Sequence, residues 1–290
     1  MANQFDPMKR RPPDAHKGDF GRVALIGGSR GMAGSIALSS IAALRTGSGL
    51  VTAIIPDAIL ETVASFHPAV MTVPVGPAGS PRFDPNAADR VAESLQKMDA
   101  VGIGPGMGTD DGSLVVLQRV LSDCPVPLVI DADAINLIAR HNLLIECRRF
   151  ETKPPWILTP HAGELQRLTG VPTDDRQQQI AAAEQLARQY NLIIVVKGGP
   201  TVTVTAGRRV TNDTGNPGMA TAGCGDVLTG MITSLLGQGL DPTAATLTAV
   251  HHHGAAGDRA ADRYGPAAMT AAEVASSIRI DHRPKSAATR

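Results

Sequence analysis

Apolar runs of strand length alternate along this chain with stretches whose apolar residues fall three and four positions apart. The runs lie at 22–27 (RVALIG), 50–55 (LVTAII), 69–73 (AVMTV), 99–103 (DAVGI), 127–130 (PLVI), 156–159 (WILT) and 192–196 (LIIVV). Helical patterns are predicted at 33–46, 85–97, 110–122, 175–189, 226–237, 242–262 and 270–279. Strands alternating with helices predict βαβ units and a mostly parallel sheet covered on both faces, an α/β fold. Thr201–Thr205 and Arg208–Asn212, joined by Ala206-Gly207, predict an antiparallel hairpin near one edge. Gly237 and Gly239 stop one C-terminal helix, and Asp241 with Pro242 starts the next.

No linker or internal repeat divides the pattern, so a single domain is expected at 19–281. Residues 1–18, polar with Pro12-Pro13, are expected to be an arm, and 282–290 a frayed tail. Hydrophobic residues make up 43% and aromatics only 3%, which leaves Ala, Val, Leu and Ile to build the core. Lys plus Arg and Asp plus Glu both total 27, so no basic surface favours a nucleic-acid partner. Cys124, Cys147 and Cys224 are odd in number and lack C-x-x-C spacing, as reduced thiols in a cytoplasmic protein would. The N-terminus has no apolar signal region, and no apolar run is long enough to span a bilayer. The expectation is a soluble cytoplasmic protein.

The densest chemical signal is the stretch Asn212 to Asp226, ending in Gly223-Cys224-Gly225-Asp226. It runs directly into the apolar pattern Val227, Leu228, Met231, Ile232, Leu235 and Leu236. These glycines therefore fall at a helix N-terminus, where backbone N–H groups and the dipole attract anions. Asp226 places a carboxylate beside that anion hole, as a phosphoryl-transfer enzyme requires. In an open parallel sheet, ligands sit beyond the carboxyl ends of the strands, and the other informative loops follow strands too. Gly27-Gly28-Ser29-Arg30-Gly31-Met32-Ala33-Gly34 suits a phosphate or a tight βα turn. It also resembles the cofactor loop of short-chain dehydrogenases, but Tyr190 and Tyr264 lack the lysine four residues later that such chemistry uses.

Gly104-Pro105-Gly106 lets backbone approach a ligand closely. Asp131 is placed to face the crevice and to hold Mg²⁺ or a substrate hydroxyl, whereas Asp133 reads equally as a helix cap. His161 and Glu164 share a face if a helix starts near His161; they suit substrate and a hydrated Mg²⁺, or a plain capping arrangement. Lys197-Gly198-Gly199-Pro200-Thr201 suits nucleotide contact, although the P-loop pattern G-x-x-x-x-G-K-[ST] occurs nowhere. His251-His252-His253 cannot converge on one ion, because successive helical residues point about a hundred degrees apart; at most His253 packs against the site. Cys224 reads as a small filler rather than a nucleophile, since no histidine is evidently paired with it.

Together, these loops resemble in content and order the ADP/ATP-dependent NAD(P)H-hydrate dehydratases, a branch of the ribokinase-like superfamily, from about residue 16 to residue 280. The stretches that carry most of it are Asn216-Pro217-Gly218-Met219-Ala220-Thr221 leading into Gly225-Asp226, and Leu38 to Thr52. The resemblance implies a ribokinase-like three-layer α/β/α fold with a central, mostly parallel sheet. It implies ADP-dependent dehydration of the (S)-hydrates of NADH and NADPH, through phosphorylation of the C6 hydroxyl and loss of phosphate, with ADP (or ATP) as co-substrate and Mg²⁺ as cofactor. Under it, Asp226 contacts the hydroxyl as base, and the N–H groups of Gly223, Cys224, Gly225 and Asp226 stabilise the transferring phosphoryl. Lys197, Gly198, Gly199, Pro200 and Thr201, with Gly225, hold the nucleotide. The hydrate lies against Ser35, Gly106, His161 and Asp226, and Glu164 handles Mg²⁺ through water. The family usually has Ala at the position of Ser35 and Ser or Thr at that of Cys224. A homo-oligomer, a tetramer in many relatives, and a separate NAD(P)H-hydrate epimerase as functional partner are also implied. Two rival readings use the same loops: a small-molecule kinase of the hydroxyethylthiazole-kinase type, which would release a phosphorylated product, and a nucleotide-binding regulator without turnover.

Overall fold

The computed structural model describes residues 11–145 and 155–280; positions 1–10 of the expected arm and the expected tail at 282–290 lie outside the described residues. The strands are β1 (Arg22–Ile26), β2 (Leu50–Pro56), β3 (Val70–Val75), β4 (Ala100–Ile103), β5 (Leu128–Ile130), β6 (Ile157–Leu158), β7 (Ile193–Val196), β8 (Val202–Val204) and β9 (Arg209–Thr211). The helices are α1 (Ala33–Thr46), α2 (Leu60–Phe66), α3 (Ala88–Leu95), α4 (Asp111–Asp123), α5 (Ala132–His141), α6 (Ala162–Thr169), α7 (Arg176–Tyr190), α8 (Cys224–Gly237), α9 (Pro242–Tyr264) and α10 (Ala271–Ser276). No helix among the described residues is long and apolar enough to cross a membrane.

The strands join in one sheet of order β3-β2-β1-β4-β5-β6-β7-β8-β9. Pairing is parallel from β3 to β7, and the expected hairpin adds β8 and β9 antiparallel at one edge. Strand periodicity sends alternate side chains to opposite layers. Ala24 and Ile26 of β1 enter a core shared with α3, α4, α5, α6 and α7. Val23 and Leu25 enter a second core with α1, α2, α8, α9 and α10. The result is the expected three-layer α/β/α arrangement. Aliphatic residues dominate both cores, and Phe83 and Trp156 are the buried aromatics of the first.

Three helices lie where no separate helix is predicted or one is only raised conditionally: α2, α5 and α6. All are short, at seven, ten and eight residues, so their periodicity is brief. Tertiary packing stabilises them instead: α5 buries Ala134, Ile135, Leu137 and Ile138 against the sheet. At the N-terminal end, Arg11 donates to the Gly47 carbonyl, and its guanidinium lies 3.7 Å over the Phe20 ring.

The closest helix contact in the site-bearing layer is between α1 and α8. Gly230 of α8 faces the Ser39 carbonyl of α1, and a Cβ there would come within 2.0 Å of that oxygen. The contact sets the distance between the helix carrying Ser35 and the helix carrying Asp226. Gly230→Ala is expected to force the helices apart at a cost of about 1–3 kcal/mol, read as a lowered midpoint in urea unfolding. An unchanged midpoint would mean that this contact does not fix the spacing.

Candidate active site

The sheet order reverses between β1 and β4, because β2 lies on one side of β1 and the later strands on the other. Loops leaving such strands diverge and open a crevice at their carboxyl ends. Here the two loops are stitched together at the crevice floor. Gly28 N donates to Pro105 O at 2.7 Å, and Ser29 Oγ donates to Gly106 O at 2.9 Å. Ser35 follows on the first turn of α1, so Gly106 and Ser35 line the same wall.

α8 enters the crevice by its N-terminus. Gly223 is the N-cap at φ 91°, a conformation that glycine adopts without strain, and it aims the first free N–H groups of α8 into the crevice. The preceding segment is fastened to α9. Gly215 N donates to Asp258 Oδ2 at 2.9 Å, Asn216 Nδ2 to Asp258 Oδ1 at 3.0 Å, and Thr214 Oγ1 to His251 O at 2.8 Å. Asp226 lies in the first turn, where the neighbouring Ser35 hydroxyl favours its ionised form. Burial, reinforced by the nearby negative charge of Asp131, pushes its carboxyl up to about 7 against the opposing pull of Ser35 and Lys197.

Behind α8 sits a buried charge cluster. Lys197, at the end of β7, donates from Nζ to Asp131 Oδ1 at 2.8 Å and lies 4.0 Å from Glu164 Oε2. Thr229 Oγ1 donates to Asp131 Oδ2 at 2.7 Å. Burial alone would raise Asp131, but the Lys197 charge and the hydrogen bonds around it hold the carboxyl below its ordinary value. Burial would likewise lower Lys197, yet Asp131 and Glu164 keep it above the usual range, as an ammonium. Glu164 is less well compensated: burial lifts it to about 7 although Lys197 pulls the other way. A Cβ on Gly225 would come within 3.1 Å of Lys197 Nζ, so the ammonium lies directly against the start of α8.

A family model described as NAD(P)H-hydrate dehydratase matches residues 23–279. The chain belongs to that family. It is 40% identical over 271 residues to the bifunctional NAD(P)H-hydrate repair enzyme Nnr of Moorella thermoacetica, a match covering 92% of this chain and 50% of that protein. It thus spans about half the length of the bifunctional relatives it matches. The ADP-dependent (S)-NAD(P)H-hydrate dehydratase of Lactiplantibacillus plantarum is 35% identical over 258 residues, covering 88% of this chain and 86% of that one. Among solved structures, the Bacillus subtilis ADP/ATP-dependent NAD(P)H-hydrate dehydratase co-crystallised with ATP and Mg²⁺ superposes with a TM-score of 0.79. It is 28% identical, with 94% of this chain and 92% of that chain covered.

In this family member the structure brings Ser35, Gly106, Asp226 and the start of α8 to one crevice, with Lys197 and Asp131 against Gly225. His161 is the N-cap of α6: its Nδ1 accepts from Gly163 N at 3.0 Å and Glu164 N at 3.3 Å. Glu164 Oε2 accepts from His161 N at 2.8 Å, which completes a capping box. The capping arrangement that the sequence allows is therefore present, with Glu164 buried beside Lys197. Asp133 is not the cap of α5, because Asp131 holds that position; Asp133 Oδ2 instead accepts from Gly108 N at 2.9 Å. Gly198 to Thr201 form an outer loop that Arg176 pins, by donating to the carbonyls of Lys197 and Pro200. Burial raises the Cys224 thiol to about 11, so it is no nucleophile at neutral pH. The ring of His253 lies near the Cys224 backbone, and burial lowers it to about 4. Thr229, Arg176 and Asp258 carry no sequence signal of their own; each supports the site from a helix face that only the fold defines.

Because the Asp226 carboxyl is raised from 3.8 to about 7 in the folded chain, its stabilising contribution is fully present below the lower value. That contribution is lost as pH rises through the upper one. Asp226→Asn removes this loss, so the variant is expected to gain on the wild type by about 4 kcal/mol between about pH 4 and about pH 8. Urea unfolding at both pH values measures it. A difference between the two proteins that does not change with pH would mean that Asp226 titrates normally.

Proposed function

We propose that this protein is a nicotinamide-nucleotide repair enzyme, a hydro-lyase that uses ADP to dehydrate the (S)-hydrates of NADH and NADPH to the reduced dinucleotides. The observation that carries this reading is Asp226. It is a carboxyl with a raised pKa in the first turn of α8, set near Ser35 and at the N-terminus of that helix, where free N–H groups gather. The names and extensive coverage of the relatives supply the substrate class.

In the proposed reaction, the C6 hydroxyl of the hydrate attacks the terminal phosphorus of ADP while Asp226 takes the hydroxyl proton. The P–O bond to AMP breaks, and AMP leaves. The C6–O bond then breaks to release inorganic phosphate, a ring proton is lost, and the dihydropyridine is restored. The N–H groups of Gly223, Cys224, Gly225 and Asp226 stabilise the charge on the transferring phosphoryl, a role worth about 10²–10³-fold per donor in comparable sites. Lys197 to Thr201, with Gly225, hold the nucleotide, and Ser35, Gly106 and His161 hold the hydrate. The described residues form no cluster of three His, Cys, Asp or Glu side chains suited to a metal. The hard carboxylate oxygens of Glu164 suit a hydrated Mg²⁺ held mainly by phosphates. Glu164 would hold that ion through water, and the ion would offset nucleotide charge. The family resemblance extends the proposal to a single catalytic domain at 19–281, a cytoplasmic location, a homotetramer and a separate epimerase as functional partner.

Incubation with ADP, Mg²⁺ and NADH hydrate is expected to restore the near-ultraviolet absorbance of the dihydropyridine, with equimolar phosphate released. Asp226→Asn should retain nucleotide binding while kcat falls about 10²–10⁴-fold. Because Asp226 must be ionised to accept a proton, kcat/KM should decline as pH falls through about 7. No recovery with either ADP or ATP would overturn the reading, and undiminished turnover in the variant would place the base elsewhere.

A further inference from the structure

A cavity of about 410 Å³ lies between the β4 loop, α5 and α6, lined by Thr109, Asp133, Asn136, Ala139, Arg140 and Arg167. Its volume suits part of a nucleotide. Asp133, Asn136 and Arg140 recur at i, i+3 and i+7, one face of α5, and Arg167 reaches across from α6. The two guanidiniums are held by neutral acceptors: Arg140 Nη1 donates to Thr109 O at 3.2 Å, and Arg167 Nη1 to Asn136 Oδ1 at 2.9 Å. A guanidinium has five N–H donors, so each retains donors for an anion. The cavity's one carboxylate, Asp133, accepts from Gly108 N. Two cations therefore face one carboxylate that is already engaged.

The cavity adjoins the crevice. Asp133 is tied to Gly108, two residues along the loop from Gly106, and Arg167 lies on α6, whose N-cap is His161. It lies on the Gly106 and His161 side, and the six residues that line it include none of Lys197 to Thr201.

We propose that this cavity is a phosphate subsite for the dinucleotide hydrate, in which Arg140 and Arg167 bind a phosphate group remote from the reacting ring. The assignment rests on the dehydratase reading for its substrate class. A hydrate of NADH offers only its pyrophosphate, whereas a hydrate of NADPH adds a ribose phosphate. Arg–phosphate pairing is charge-assisted and directional, so the subsite would position the long substrate while Asp226 acts at the other end.

The test uses the full-length Arg140→Met/Arg167→Met double variant, which keeps the apolar stems of two exposed side chains. KM for the hydrate is expected to rise about tenfold, with kcat and the KM for ADP unchanged. An equal rise for both hydrates assigns the subsite to the pyrophosphate, and a rise for the NADPH hydrate alone assigns it to the ribose phosphate. Unchanged KM for both hydrates, or a rise in the KM for ADP, would overturn the proposal. Calorimetric titration of each hydrate without ADP repeats the comparison independently of turnover. About tenfold weaker binding by the variant supports the subsite, while equal affinity, or no binding to the wild type, overturns it. Wild-type protein that binds hydrate but never dehydrates it would fail the catalytic reading alone.

Discussion

One half-buried ammonium shared among three carboxylates sets the chemistry of this site. Lys197 pairs directly with Asp131 and lies near Glu164, and its charge also reaches Asp226. Asp131 gains most, because it receives the Lys197 charge, a hydrogen bond from Lys197 and another from Thr229. It stays ionised, and its negative charge then works against the other two. Asp226 and Glu164 both rise to about 7 for the same two reasons, burial and the neighbouring Asp131 charge. A base poised near neutrality is what general base catalysis at physiological pH favours. Without the Lys197–Asp131 pair, a third buried carboxylate would lack compensation, at considerable cost.

The fold supplies this cluster by bringing distant strand ends together. Asp131 follows β5, Glu164 follows β6, Lys197 follows β7 and Asp226 lies in the first turn of α8, so four separate segments meet at one end of the sheet. The α1–α8 contact at Gly230 and the stitched loops after β1 and β4 then fix Ser35 and Gly106 on the opposite wall. In the proposed reaction rigid spacing would matter, because phosphoryl transfer depends chiefly on positioning and charge stabilisation.

Much of this is legible in the sequence, for physical reasons that also mark the limits. The strands stand out because a sheet covered on both faces needs uninterrupted apolar runs, and the long helices because their apolar positions repeat for several turns. α5 and α6 are harder to see: each is about two or three turns long and begins among polar residues that also read as chemistry. Gly223 to Asp226 is legible because glycine and carboxylate together at a helix start have few purely structural uses. The pairing of Lys197 with Asp131 is not, since 66 residues separate the partners and no local pattern links them. Nor is the arginine cavity, whose cations come from two different helices and face each other only once α5 and α6 pack.

The claim on which the rest turns is that phosphate is transferred to the substrate hydroxyl before the hydroxyl oxygen leaves. Following an oxygen isotope from the C6 hydroxyl of the hydrate into the products, during a single turnover with ADP, tests it most directly. Phosphoryl transfer to the C6 hydroxyl requires the label to appear in inorganic phosphate, because the C6–O bond breaks while the oxygen is attached to phosphorus. Label released as water, with unlabelled phosphate, would contradict the account.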